Sequence, residues 1–202
     1  MKFPFLASFI VFLVWLAYEI NKSNNKSAKL NQSFWDRERQ ANRTRRKPLD
    51  DLEYITIPFE TLPMDLFTDN PVFAEYHETL RFLNNYPIVN FTGITNTDLK
   101  LQYGAPNITE LTRYDQNYTS LVRTLQNWGQ KLYENGRITE AKNVLEFALS
   151  TRTDISATYT LLVTIYQELN TPEKIADMLP VAESLNSASR NTIVRMLQKS
   201  CP

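Results

Sequence analysis

One cysteine, one histidine and four glycines are all that the 202 residues hold of three types on which much enzyme chemistry depends. With Cys201 alone, next to the C-terminus, no intramolecular disulfide can form. One histidine cannot build a Cys/His zinc set, and Gly93, Gly104, Gly129 and Gly136 stand too far apart to make a phosphate-cradling turn. His77, between Tyr76 and Glu78, reads as a residue on a solvated helix face. The cluster Asp98, Lys100 and Tyr103 is the nearest approach to a catalytic group, and it reads as a polar face or a local cap. A non-enzyme is therefore expected, with no catalytic residue, no cofactor and no metal.

Net charge is also missing: 22 Lys and Arg balance 22 Asp and Glu. The balance conceals a polarity. Residues 21–47 carry nine basic and two acidic side chains, net +7, whereas residues 49–202 carry 12 basic and 19 acidic, net −7. Without a basic body, a zinc spacing or an RNA-recognition signature, nucleic acid is excluded as a partner. The basic residues Lys22, Lys26, Lys29, Arg43, Arg45, Arg46 and Lys47 are instead expected either to lie along an anionic membrane surface or to serve only as topology determinants in a solvated linker.

That expectation comes from the apolar run Phe3 to Ile20. Eighteen helical residues reach roughly 27 Å, near the thickness of a hydrocarbon core. A cleaved signal peptide is the rival, but the run ends Leu16-Ala17-Tyr18-Glu19-Ile20 without the small residues that a cleavage site uses. The basic flank then predicts a single-pass protein of the cell membrane with its C-terminal domain in the cytoplasm. Seven N-x-[ST] sequons, starting at Asn21, Asn25, Asn31, Asn42, Asn90, Asn107 and Asn117, become informative only for the opposite orientation.

Four regions follow: a transmembrane anchor at 1–20, a basic juxtamembrane linker at 21–48, an extended strap with helices at 49–112, and helical hairpins at 113–202. The linker is Asn, Lys and Ser to about Ser33 and is expected to be extended, with a possible helix from Phe34 to Arg46. Asn70-Pro71 opens a helix with Val72, Phe73, Tyr76, Leu80 and Leu83 at helical spacing, and Asn84-Asn85 ends it. A short helix is expected from about Asn96 to Gly104. Tyr114, Tyr118, Leu121, Leu125, Trp128 and Leu132 are spaced 4, 3, 4, 3 and 4, one stripe of a long helix closed by Asn135-Gly136. A second helix, Ile138 to Leu149, must pack antiparallel on it, with Ala141 and Gly129 letting the backbones approach. Offset by 34 residues, Tyr159, Leu162, Val163, Tyr166 and Leu169, then Asn170, then Ile175, Leu179 and Ala182 repeat the layout.

Over residues 122–189 this pattern resembles the tetratricopeptide repeat, whose period is 34. Gly129, Gly136, Ala141 and Ala148 stand at the family's small positions, Leu125, Trp128 and Leu145 at bulky ones, and Leu162, Tyr166 and Ala182 agree in the second unit. Thr153 replaces the closing proline. The layout of anchor, basic linker and repeat body is also similar to that of membrane-anchored proteins of Gram-positive bacteria. The resemblance implies a mostly α fold, a capping helix around Ile193 and Leu197, and a groove lined by Arg123, Gln126, Asn127, Gln130, Tyr133, Ala157, Thr160, Thr164 and Gln167. The groove lacks the Lys and Arg set with which chaperone-binding members hold a C-terminal carboxylate. Its expected occupant is a peptide or helix of another protein. The function read from these features is a membrane-tethered adaptor or scaffold, with a permanent structural subunit of a membrane complex as the alternative.

Overall fold

A computed structural model describes residues 4–201, with the side chains of residues 4–7 and 25–30 outside the described set. The protein is mostly helical: α1 (Pro4–Asn42), α2 (Pro71–Leu83), α3 (Asn96–Tyr103), a 3-10 turn (Ala105–Asn107), α4 (Ile108–Glu134), α5 (Ile138–Ser150), α6 (Ser156–Glu168), α7 (Lys174–Glu183) and α8 (Arg190–Ser200).

The N-terminal third departs most from expectation. Among the described residues no helix is long and apolar enough to cross a membrane. This corrects both the expected transmembrane helix at 1–20 and the single-pass membrane location with a cytoplasmic body. The start of the apolar run, residues 3–7, lies outside the residues whose side chains are described. The described part, Ser8 to Ile20, spans roughly 20 Å as a helix against about 30 Å of hydrocarbon. Beyond Ile20 the backbone does not become an extended linker. It stays helical to Asn42, because no proline or glycine interrupts residues 5–47 and Asn, Ser and Lys each cost a helix less than about 1 kcal/mol. A polar composition without a breaker is thus compatible with a continuous helix. At about 1.5 Å per residue α1 extends about 58 Å, with Phe9 to Ile20 uncovered and Ala41 buried at the far end.

Asn70 caps α2 by accepting from the Val72 amide (3.0 Å), and Phe73, His77, Leu80 and Leu83 form the buried stripe that faces α4. At α3 the Thr95 hydroxyl accepts from the Asp98 amide and donates to its carboxylate, so that Thr95 caps the helix expected from about Asn96. Gly104 closes α3 at φ +97°, and a Cβ there would collide with the Arg45 carbonyl. Residues 49–63 form no helix or strand: 53–58 run between turns at 50–52 and 59–62, tied by Ile55 N–H to Ile88 O (2.9 Å). Ile57 and Leu62 enter the main core, while Leu52 joins Val89, Phe91, Leu99, Leu111 and Tyr114 in a second one.

From α4 onward the chain is an array of helical hairpins, compatible with a helical-repeat fold. α4 packs on α5, α5 on α6, and α6 on α7, with α4 also meeting α6 and α5 meeting α7. α8 covers α6 and α7 through Ile193 and Leu197, and α2 covers α4. Two turns carry the period. After α4, Gly136 (φ +72°) donates to Tyr133 O and Arg137 to Leu132 O; after α6, Asn170 (φ +55°) donates to Gln167 O and Thr171 to Tyr166 O. These are the same left-handed closure 34 positions apart, and Asn tolerates it where glycine would be the first choice. Trp128, Tyr159 and Tyr166 are core residues, as their spacing predicts.

Candidate functional site

The predicted groove residues lie on α4 and α6, the two helices that run side by side. Arg123, Asn127, Ala157, Thr160 and Gln167 are exposed, while Gln126, Gln130, Tyr133 and Thr164 are half-buried. Two of them join the helices. Gln126 accepts from the Thr158 hydroxyl at 2.6 Å, and the Tyr133 hydroxyl donates to Glu168. That hydrogen bond, followed by burial, holds the Tyr133 pKa above the ordinary tyrosine value. Sequence reasoning missed Thr158 and Glu168, although each sits 32 or 35 positions after its partner, close to the repeat period. Thr160 and Thr164 bond back to the carbonyls of Ser156 and Thr160, and Gln130 donates to Glu134. The face therefore offers exposed polar groups on a cross-braced frame.

The basic residues divide. Lys22 pairs with Glu19 and lies 5.8 Å from the Tyr18 ring centroid. The side chains of Lys26 and Lys29 lie outside the described residues. Arg43 and Arg45 are exposed. Arg46 donates to Asn107 (2.7 Å) and meets Glu110 (3.3 Å), and Lys47 donates to Leu101 O. Around them, Arg37 pairs with Asp98, and Glu38 receives Lys100 and Thr97. Asp98 and Lys100 are thus bridges from α3 to α1. The bond from Thr95 lowers the Asp98 pKa most, and the bond from Lys100 that of Glu38.

His77 corrects the sequence reading. It is 2 % exposed, edge-on to Trp128 with ring centroids 5.2 Å apart, because α2 turns this position into α4. The polar neighbours Tyr76 and Glu78 concealed its direction.

Four sequon asparagines make tertiary bonds: Asn42 accepts from Lys100, Asn117 donates to Pro87 O, and Asn107 and Asn90 are tied more tightly still. The Asn107 amide is buried and donates to Lys47 O (2.8 Å) and Tyr103 O (2.9 Å). Asn90 donates to the Tyr118 hydroxyl (2.9 Å) and Thr151 O (3.0 Å), and accepts from Thr92 N–H (2.9 Å). These bonds pin residues 89–94 to the α5–α6 turn. Beside them a cavity of about 520 Å³ opens between strap residues 51–55, residues 89–94, the turn at 150–152 and the loop at 184–186, with Tyr103 in its wall. No spacing rule brings these four segments together, so the sequence gives no sign of it. No protein-family model matches the chain, and no curated protein or solved structure is significantly similar to it.

Proposed function

We propose that the chain is a protein-binding adaptor or scaffold, not an enzyme, whose α4–α5 and α6–α7 hairpins are tetratricopeptide-like and present the α4–α6 face to a peptide or helix of another protein. The observation that carries this reading is the recurrence, 34 residues apart, of one left-handed turn closure joined to cross-helix bonds between α4 and α6. Such a frame holds exposed Arg123, Asn127, Thr160 and Gln167 in fixed register, which suits hydrogen bonding to an extended partner. The test is co-purification of the full chain against the triple variant Arg123→Ala, Asn127→Ala, Gln167→Ala. The variant should keep the helical signal and lose a partner that the parent chain retains at low salt.

A second reading, a permanent subunit of a larger complex, is favoured by the uncovered apolar stretch Phe9 to Ile20 of α1. In that case a stoichiometric partner stays bound at every salt concentration and survives the triple variant.

A further inference from the structure

The 520 Å³ cavity lies away from the α4–α6 face and has its own chemistry. Its volume falls in the range of small-ligand clefts. Its walls are fixed by independent ties: Asn90 to the α5–α6 turn, Ile55 to Ile88, and Gly93 set so close to Asn186 that a Cβ would strike the Asn186 carbonyl. The cleft therefore exists before a ligand arrives.

Aromatic and carboxylate residues are both among its lining. Tyr54, Phe91, Ile94 and Tyr103 line it; the Phe91 and Tyr103 ring centroids are 6.3 Å apart, and Tyr54 is held by its bond to Leu49 O and by the Tyr114 ring. Asp51 and Glu53 line the cleft as well, and after burial they are the causes that raise the Tyr103 pKa. Among the described residues Asp51 has no ion-pair partner. Glu53 has one, Arg152, at 3.6 Å, with both side chains mostly in solvent. A contact of that length and exposure is weak and is open to displacement. Arg152 itself occupies the left-handed position of the α5–α6 turn (φ +59°) and lines the cleft.

We propose that this cleft binds a lysine or arginine side chain of an extended peptide, stem against Tyr54, Tyr103 and Ile94, cation between Asp51 and Glu53, with Arg152 as an internal competitor for the same carboxylate. Lysine and arginine join an apolar stem to a charged head, and aromatic faces attract the cation further. The volume exceeds a single side chain and leaves room for the flanking peptide units. This proposal does not rest on the α4–α6 face.

The test is an NMR titration of the full chain with acetyl-Gly-Lys-Gly-amide and its norleucine counterpart, following the Gly93 and Asn186 amides. The lysine peptide should give saturable shifts and the norleucine peptide none. Asp51→Asn and Glu53→Gln should each weaken binding about two- to fivefold, the range that exposed ion pairs supply. Arg152→Asn, which suits the left-handed backbone, should tighten it by a similar factor. Equal binding of the two peptides would overturn the proposal, as would weaker binding by Arg152→Asn, which would make Arg152 part of the site and not a competitor for it. If n-butylamine shifts these amides as well as the lysine peptide does, the peptide source is wrong.

Discussion

His77 stands edge-on against Trp128 at the α2–α4 contact, and neither its Nε2 nor the indole Nε1 has a hydrogen-bond partner among the described residues. Burial, then the nearby Arg81, lowers the His77 pKa, and Asp65 opposes them only partly. The folded state therefore prefers the neutral ring more strongly than the unfolded chain does. The stability this gives is complete above the ordinary histidine value of about 6.5 and is lost as pH falls below it. The melting temperature should drop between pH 7.5 and pH 5.5, and His77→Phe should flatten that drop. An unchanged pH dependence in His77→Phe would show that the ring is free to take a proton where it lies.

Gly129 faces Leu145 with no space between: a Cβ would lie 2.6 Å from Leu145 Cδ2, and Leu145 is fully buried. Gly129→Ala gains about 1 kcal/mol of helix propensity. Overpacking costs about 1 to 3 kcal/mol, so the variant should be destabilised on balance in urea unfolding. In a Leu145→Ala background the clash is gone and the same change should be neutral or stabilising. Ala141→Leu, at a fully buried position on the facing helix, should cost about 1 to 3 kcal/mol, while exposed Asn127→Ala should stay within about 0.5 kcal/mol.

The contact of α1 with α3 is largely ionic. Lys100 bonds to Glu38 and Asn42, and Arg37 to Asp98. Both carboxyls are held below their ordinary values, so what they contribute is present above about pH 4 and lost as pH falls further. Glu38→Gln or high salt should speed amide exchange in residues 34–42 and leave α4 to α6 unchanged. Exchange that is insensitive to both would mean that buried Ala41 alone holds the helix.

Residues 44–47 are bonded into the fold that follows Pro48, although the composition changes at Lys47-Pro48. Asn107 depends on Lys47 O, Ala105 N–H on Thr44 O, and Gly104 on the close passage of Arg45. A chain starting at Leu49 should be destabilised by about 1 to 3 kcal/mol through the acceptors it lacks. One starting at Ser33 should melt as the full chain does.

Legibility followed the kind of signal. The α2 cap, the α4 stripe, the turn at Gly136 and its echo at Asn170 were readable because each is a local pattern with one physical meaning. The course of α1 was not, since an Asn- and Ser-rich segment satisfies both a linker and a helix when no breaker is present. His77 was legible too: it lies four residues after Phe73 and three before Leu80, the spacing of the buried face, and only its polar neighbours Tyr76 and Glu78 suggest otherwise. At the candidate site, spacing identified the exposed groups on α4 and α6 but not Thr158 and Glu168, the partners that brace them. The 520 Å³ cleft depends on long-range closure of four segments and leaves no periodic trace.

Partner recognition by the α4–α6 face is tested most directly by a photo-crosslinking amino acid placed singly at Asn127 on α4, Thr160 on α6 and Asn143 on the exposed side of α5, in cells making the full chain. The account predicts that Asn127 and Thr160 capture the same protein and that Asn143 does not. Capture of that protein from Asn143 alone, or of nothing from both inner-helix positions, would contradict it.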